Sequence, residues 1–143
     1  MLFRSGLTRV NMAVGSAYQN ADGVNVISAS GILNDGSDKV RVISADMTLD
    51  RIAIIVNSFI EMNDAEAFLV DKTSGVILAN RDSSLISQTL GAEGQSHFYQ
   101  LTAEKVADKD YNFVTLDGNM TVFQEVEGTN WLQIGRASCR ERV

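Results

Sequence analysis

The 143-residue chain carries 12 basic and 18 acidic residues, a net charge of -6, with 45% apolar and 21% charged residues. That is the balance of one ordinary globular domain or a piece of a larger protein, and it excludes a disordered segment. The negative charge argues against nucleic acid, which needs a Lys/Arg surface, and favours no particular small ligand.

The first readable element is Val24 to Ser30, rich in β-branched residues and read as a strand. Gly31 and Asn34-Asp35-Gly36-Ser37 supply turn chemistry, since Asn, Asp and Gly tolerate positive φ. Val40 to Ala45 is the second strand of a hairpin. Alternation places Val40, Val42, Ser44 and Asp46 on one face and Arg41, Ile43 and Ala45 on the other. The period then changes. Leu49, Ile52, Ile55, Val56, Phe59 and Ile60 recur at three- and four-residue spacing, the stripe of an amphipathic helix. Thr48 stands at its N-cap position, and Asp50 in the first turn suits the helix dipole. Asp46 thus lies at a strand-to-helix junction, either as the anchor of a small-molecule pocket or as part of the helix cap. The longest apolar run, Ile52 to Ile60, is broken by Asn57 and Ser58 and falls short of the ~20 residues of a membrane span. No basic-then-apolar leader is visible at the N-terminus.

The pattern restarts at Ala65. Ala65 to Asp71 reads as a strand, Lys72-Thr73-Ser74-Gly75 as a turn and Val76 to Asn80 as the hairpin partner. A polar, partly helical stretch follows from Arg81 to Lys109, anchored by Leu85, Ile86, Leu90, Leu101 and Val106. Tyr111 to Leu116 and Met120 to Val126 form another hairpin around Asp117-Gly118-Asn119. After the turn Glu127 to Asn130, Trp131 to Ile134 begins a last strand. A strand pair, a helical crossover and a three-strand meander make an α+β layout of the PAS-like or profilin-like kind. Asp117-Gly118 before an apolar strand echoes Asp22-Gly23, a short hint of two related modules in tandem.

The last ten residues, Ile134 to Val143, read like a translated sequencing adapter and break the acidic bias with Arg136, Arg140 and Arg142 against Glu141. The single cysteine, Cys139, lies there, so the remainder has none, which fits an oxidising or exposed compartment. A catalytic or metal site is not expected. His97 is the only histidine, in a loop-like stretch without a second His or a native Cys beside it. Asp64, Glu66 and Asp71 admit a carboxylate-pair reading, but Asp71 is more simply a hairpin residue. Trp131 reads as core, Arg41 as surface, and Gly91 to Gly94 as too short for a phosphate loop.

Three stretches resemble the double Cache domain of bacterial chemoreceptors and related transmembrane sensors: Val40 to Asp50, Ala65 to Asn80, and Glu127 to Trp131. The resemblance, carried by these stretches, covers nearly all of Phe3 to Ile134. The resemblance implies tandem PAS-like (Cache) modules, antiparallel sheets with flanking helices, and an incomplete distal module. Residues 1–62 would be the C-terminal part of the membrane-distal module and 63–134 the membrane-proximal one. Residues 135–143 would be a non-native tail, with the artefact starting at 134. In the amino-acid-sensing branch, ligand contacts come from an Arg-x-Trp-aromatic element, a downstream Tyr and the junction Asp. Tyr18 matches the Tyr, Asp46 the Asp and Phe3 the final aromatic, while Asn20 stands where Asp is common. The Arg and Trp would lie before Met1, and Ala17 replaces a frequent Pro. The ligand-binding residues so implied are Asp46, Tyr18, Asn20 and Phe3. An ionised Asp accepts charge-assisted hydrogen bonds from an ammonium, and an aromatic wall adds apolar area.

The implied function is an extracytoplasmic sensor of a small molecule, an amino acid or amine, in a membrane-anchored, homodimeric methyl-accepting chemotaxis protein. It would need neither cofactor, metal nor enzymatic activity. The alternatives are the same module on a histidine kinase or cyclic-dinucleotide enzyme, or a cytosolic PAS-like interaction module.

Overall fold

A computed structural model of the chain describes residues 12–33, 36–58 and 64–139. Phe3, Phe59, Ile60, Asn34, Asp35 and the tail beyond Cys139 lie outside them. The described residues fall into two compact units, divided after Thr48.

The first unit is an antiparallel sheet of four strands: β1 (Met12–Val14), β2 (Tyr18–Gln19), β3 (Asn25–Leu33) and β4 (Arg41–Thr48). β1 and β2 share one edge of β3, and β4 runs along the other. The β3–β4 ladder is unbroken from Val26↔Thr48 to Leu33↔Arg41, so Asp46 stands inside the strand, two residues from its end. Val26, Ile27 and Gly31 are buried, whereas Arg41 to Met47 are all exposed.

The second unit opens with α1 (Leu49–Ser58), which follows β4 without a connecting residue. Its sheet has the order β6-β5-β9-β8-β7, all pairs antiparallel. The strands are β5 (Ala65–Asp71), β6 (Ile77–Ala79), β7 (Val114–Leu116), β8 (Asn119–Val126) and β9 (Trp131–Ser138). A 3-10 turn (Ser83–Leu85) and helix α2 (His97–Ala107) connect β6 to β7. Phe68 and Val70 of β5, Leu132 and Ile134 of β9, and Phe98, Tyr99 and Val106 of α2 form one core. Phe68, Phe98 and Tyr99 meet edge to face, at 5.3 to 6.4 Å between ring centres, a geometry favoured by the ring quadrupoles. α1 packs on β5 and β6.

Four expectations change. Gly31, read as part of the turn, lies inside β3, which runs on to Leu33 and pairs Gly31 with Ile43. α1 buries Leu49, Ile52 and Ala53, while Ile55 is 55% exposed. The buried row is therefore the i, i+3, i+4 set that starts at Leu49. His97 is not in a loop but opens α2, after Ser96 at the N-cap. Finally, β9 does not stop at Ile134 but continues to Ser138 between β5 and β8. Ladder hydrogen bonds come from the backbone, so a strand with partners on both sides extends through a segment whose side chains favour no strand.

Gly91 is the glycine whose place is dictated. Its φ is +83°, and a Cβ there would stand 2.6 Å from the Cβ of Ala103 on α2.

Candidate functional site

The hairpin register builds the site on one face of the first sheet. Ser28 and Asp46 are cross-strand partners, and Tyr18 opposes Val26, two residues from Ser28 on the same face. The three side chains meet. Tyr18 Oη donates to Asp46 Oδ2 at 3.3 Å and lies 3.2 Å from Ser28 Oγ, while Ser28 Oγ donates to Asp46 Oδ1. All three are exposed or half-buried, with Tyr18 46% accessible.

Each carboxylate oxygen of Asp46 thus accepts one hydrogen bond from the protein. A carboxylate has about four acceptor positions, so both oxygens retain capacity for a further donor. The Tyr18 ring stands beside that capacity as an apolar flank. The arrangement can hold a cation or a multiple donor. Its hydrogen-bonded members are a phenol, a hydroxyl and a carboxylate. Among the described residues no three His, Cys, Asp or Glu side chains gather as a metal would require.

The other expected site residues are placed differently. Asn20 Oδ1 accepts the backbone N–H groups of Asp22 and Val24 at 3.0 and 2.9 Å, and the Asn20 N–H donates to Val24 O. It shapes the β2–β3 turn that follows Tyr18 and makes no hydrogen bond to Asp46. Phe3 lies outside the described residues. Ser28 is a member that the sequence reading did not single out. Its signal is the pairing of polar positions Ser28 and Ser30 with Asp46 and Ser44, visible once the register is fixed. Arg41 is exposed on the opposite face from Asp46, as alternation requires.

In the second unit the carboxylates serve structure. Asp71 Oδ1 accepts the Thr73 and Ser74 N–H groups and Asn130 Nδ2, closing the β5–β6 turn. Glu66 accepts Arg136 Nε at 2.7 Å, and the guanidinium lies 4.3 Å from the Phe98 ring centre. Trp131 is half-buried at the start of β9, opposite Asp71.

No protein-family model and no curated protein matches the chain. Solved structures do. The ligand-binding domain of the Pseudomonas aeruginosa PAO1 amino acid chemoreceptor PctC, in complex with GABA, superposes with a TM-score of 0.62 at 20% identity, covering 94% of this chain and 58% of that one. That of the Pseudomonas fluorescens chemoreceptor CtaA, in complex with L-isoleucine, gives 0.58 at 19% identity, covering 95% and 56%. The extracellular domain assigned to a histidine kinase, mmHK1S-Z3, gives 0.63 at 14% identity, covering 89% and 49%. The chain has the Cache fold of chemoreceptor ligand-binding domains. It spans about half the length of the Cache-type domains that it matches. No helix of its described residues is long and apolar enough to cross a membrane.

Proposed function

We propose that the chain belongs to the extracytoplasmic ligand-binding region of a transmembrane sensor, a chemoreceptor, and detects a small amine-bearing molecule such as an amino acid. One observation carries this reading: Tyr18, Ser28 and Asp46 converge on one sheet face, with acceptor capacity left on the carboxylate. The Cache fold supports it, and so do the molecules bound by similar domains, GABA in PctC and L-isoleucine in CtaA. Asp46 takes the ammonium, Tyr18 flanks it, and Asn20 acts by shaping the turn next to Tyr18. Phe3 is assigned an apolar contact on the resemblance alone. The opposite wall belongs to parts of the parent domain that this chain does not span.

On this reading residues 1–62 are part of a membrane-distal module, 63–134 are a membrane-proximal one, and 135–143 are non-native in origin, although 135–138 complete β9 of the second sheet. The parent is membrane-anchored, works as a homodimer and performs no chemistry here. The same module on a histidine kinase is the second reading, favoured by the likeness to mmHK1S-Z3.

Calorimetric titration with GABA and a panel of amino acids tests the site. Asp46→Asn is expected to weaken any amine-bearing ligand by about tenfold or more, the range of a lost charge-assisted hydrogen bond. Tyr18→Phe is expected to cost about threefold. Unchanged affinity in Asp46→Asn, or no heat with any amine, overturns the assignment.

A further inference from the structure

A cavity of about 680 Å³ opens in the second unit, between the β5–β6 turn, the C-terminal end of α2 and β8. It is separate in sequence from the Asp46 site and independent of that reading. Its volume is in the range of small-ligand pockets. Leu90, Val106 and Ala103 line it with apolar surface, and Tyr111, stacked on Phe123 at 6.1 Å, adds an aromatic wall. Nothing in the core needs this space, since Leu90 and Val106 already belong to the buried cluster.

The charges at its edge are unbalanced. Glu125 is the one carboxylate among the lining residues, and it is engaged by Lys72 at 3.1 Å. Lys109 also lines the cavity and makes no ion pair among the described residues. Its neighbour on the helix, Lys105, is bound to Asp110 at 2.9 Å. Lys109 stands just past α2 with φ +53°, a left-handed position that usually favours Gly or Asn. In a chain of net charge -6, the cavity therefore carries one uncompensated cation beside an apolar floor.

From this juxtaposition we infer that the cavity is a second small-molecule site, for a monocarboxylate with a short apolar chain. The carboxylate pairs with Lys109, and the chain lies against Leu90, Val106 and Tyr111. An amine of the same shape meets Lys109 as a like charge and is rejected.

The test uses the 15N-labelled full chain titrated with hexanoate, and separately with hexylamine and hexanol. Hexanoate is expected to give saturable amide shifts at Leu90, Val106 and Lys109 that the other two do not reproduce. Lys109→Gln is expected to weaken hexanoate by about tenfold, the usual loss for one charged partner, with Lys109→Arg restoring it. Ala107→Phe, at an exposed position on the wall, fills the cavity and is expected to abolish the shifts without unfolding the protein. The proposal is overturned if hexanoate produces no saturable shifts at these residues. It is equally overturned if hexylamine or hexanol binds as tightly, or if Lys109→Gln leaves the affinity unchanged.

Discussion

Tyr99 shows how one buried side chain can set a pH dependence. Its ring packs edge-on against Phe68 and Phe98. Its hydroxyl accepts Asn80 Nδ2 at 3.1 Å and donates to Glu66 Oε1 at 3.5 Å. Burial pushes the hydroxyl above its ordinary value of 10.0; the Asn80 bond opposes this, and the Glu66 charge adds to it. The folded state therefore holds the neutral phenol longer than the unfolded chain does. Its contribution to stability is complete below about pH 10 and is lost as pH rises toward the folded value. Urea unfolding from about pH 8 to pH 11 should show this decline. Tyr99→Phe is expected to cost about 1 kcal/mol at neutral pH, from the Asn80 amide left without its partner, and to flatten the alkaline decline. An identical alkaline slope in both proteins would show that Tyr99 does not titrate differently on folding. Asp71 needed no structure to be read, because an Asp before a Lys-Thr-Ser-Gly turn has a local role. Ser28 did need one, since its partners Tyr18 and Asp46 are 10 and 18 residues away and only the register joins them.

At the scale of elements, α1 is fastened by a single side chain as well as by its apolar row. Asn57 Oδ1 accepts the Ala67 N–H at 3.3 Å, and its Nδ2 donates to Ala53 O at 3.0 Å. The bond ties the last turn of α1 to the start of β5. Asn57→Ala removes the acceptor and is expected to destabilise the second unit by about 1 kcal/mol. The sharper readout is hydrogen exchange, where the Ala67 amide should lose protection far more than Leu69 or Val70. Equal protection in variant and wild type would mean that the packing of Leu49, Ile52 and Ala53 holds α1 alone. The elements themselves were largely legible. β5 coincides with the expected Ala65 to Asp71, and the Asp117-Gly118 turn joins β7 to β8. β-branched runs and turn residues are local signals, and local signals survive without tertiary context. The length of β9 and the exposed side of α1 were not legible, because both depend on which neighbours are present.

For the whole molecule, the two units differ in how much apolar surface they bury. The second unit closes a continuous cluster around Phe68, Phe98, Leu132 and Ile134. The first buries Val26 and Ile27 but leaves Val42, Ile43 and Met47 of β4 exposed. A fully buried aliphatic side chain contributes about 1.5–3 kcal/mol, so even a few such side chains separate the stabilities of two units measurably. Local opening in the first sheet should therefore be less costly than opening of the second. Native-state hydrogen exchange should place the amides of β3 and β4, for example Ile27 and Ala45, at least about 2 kcal/mol below those of Phe68, Leu132 and Ile134. If the Asp46 face binds an amine as proposed, a ligand held by Tyr18 and Asp46 should raise β3–β4 protection selectively. Uniform protection across both sheets, unchanged by saturating amine, would mean that the chain opens as one cooperative body and that the Asp46 face is no more adaptable than the core.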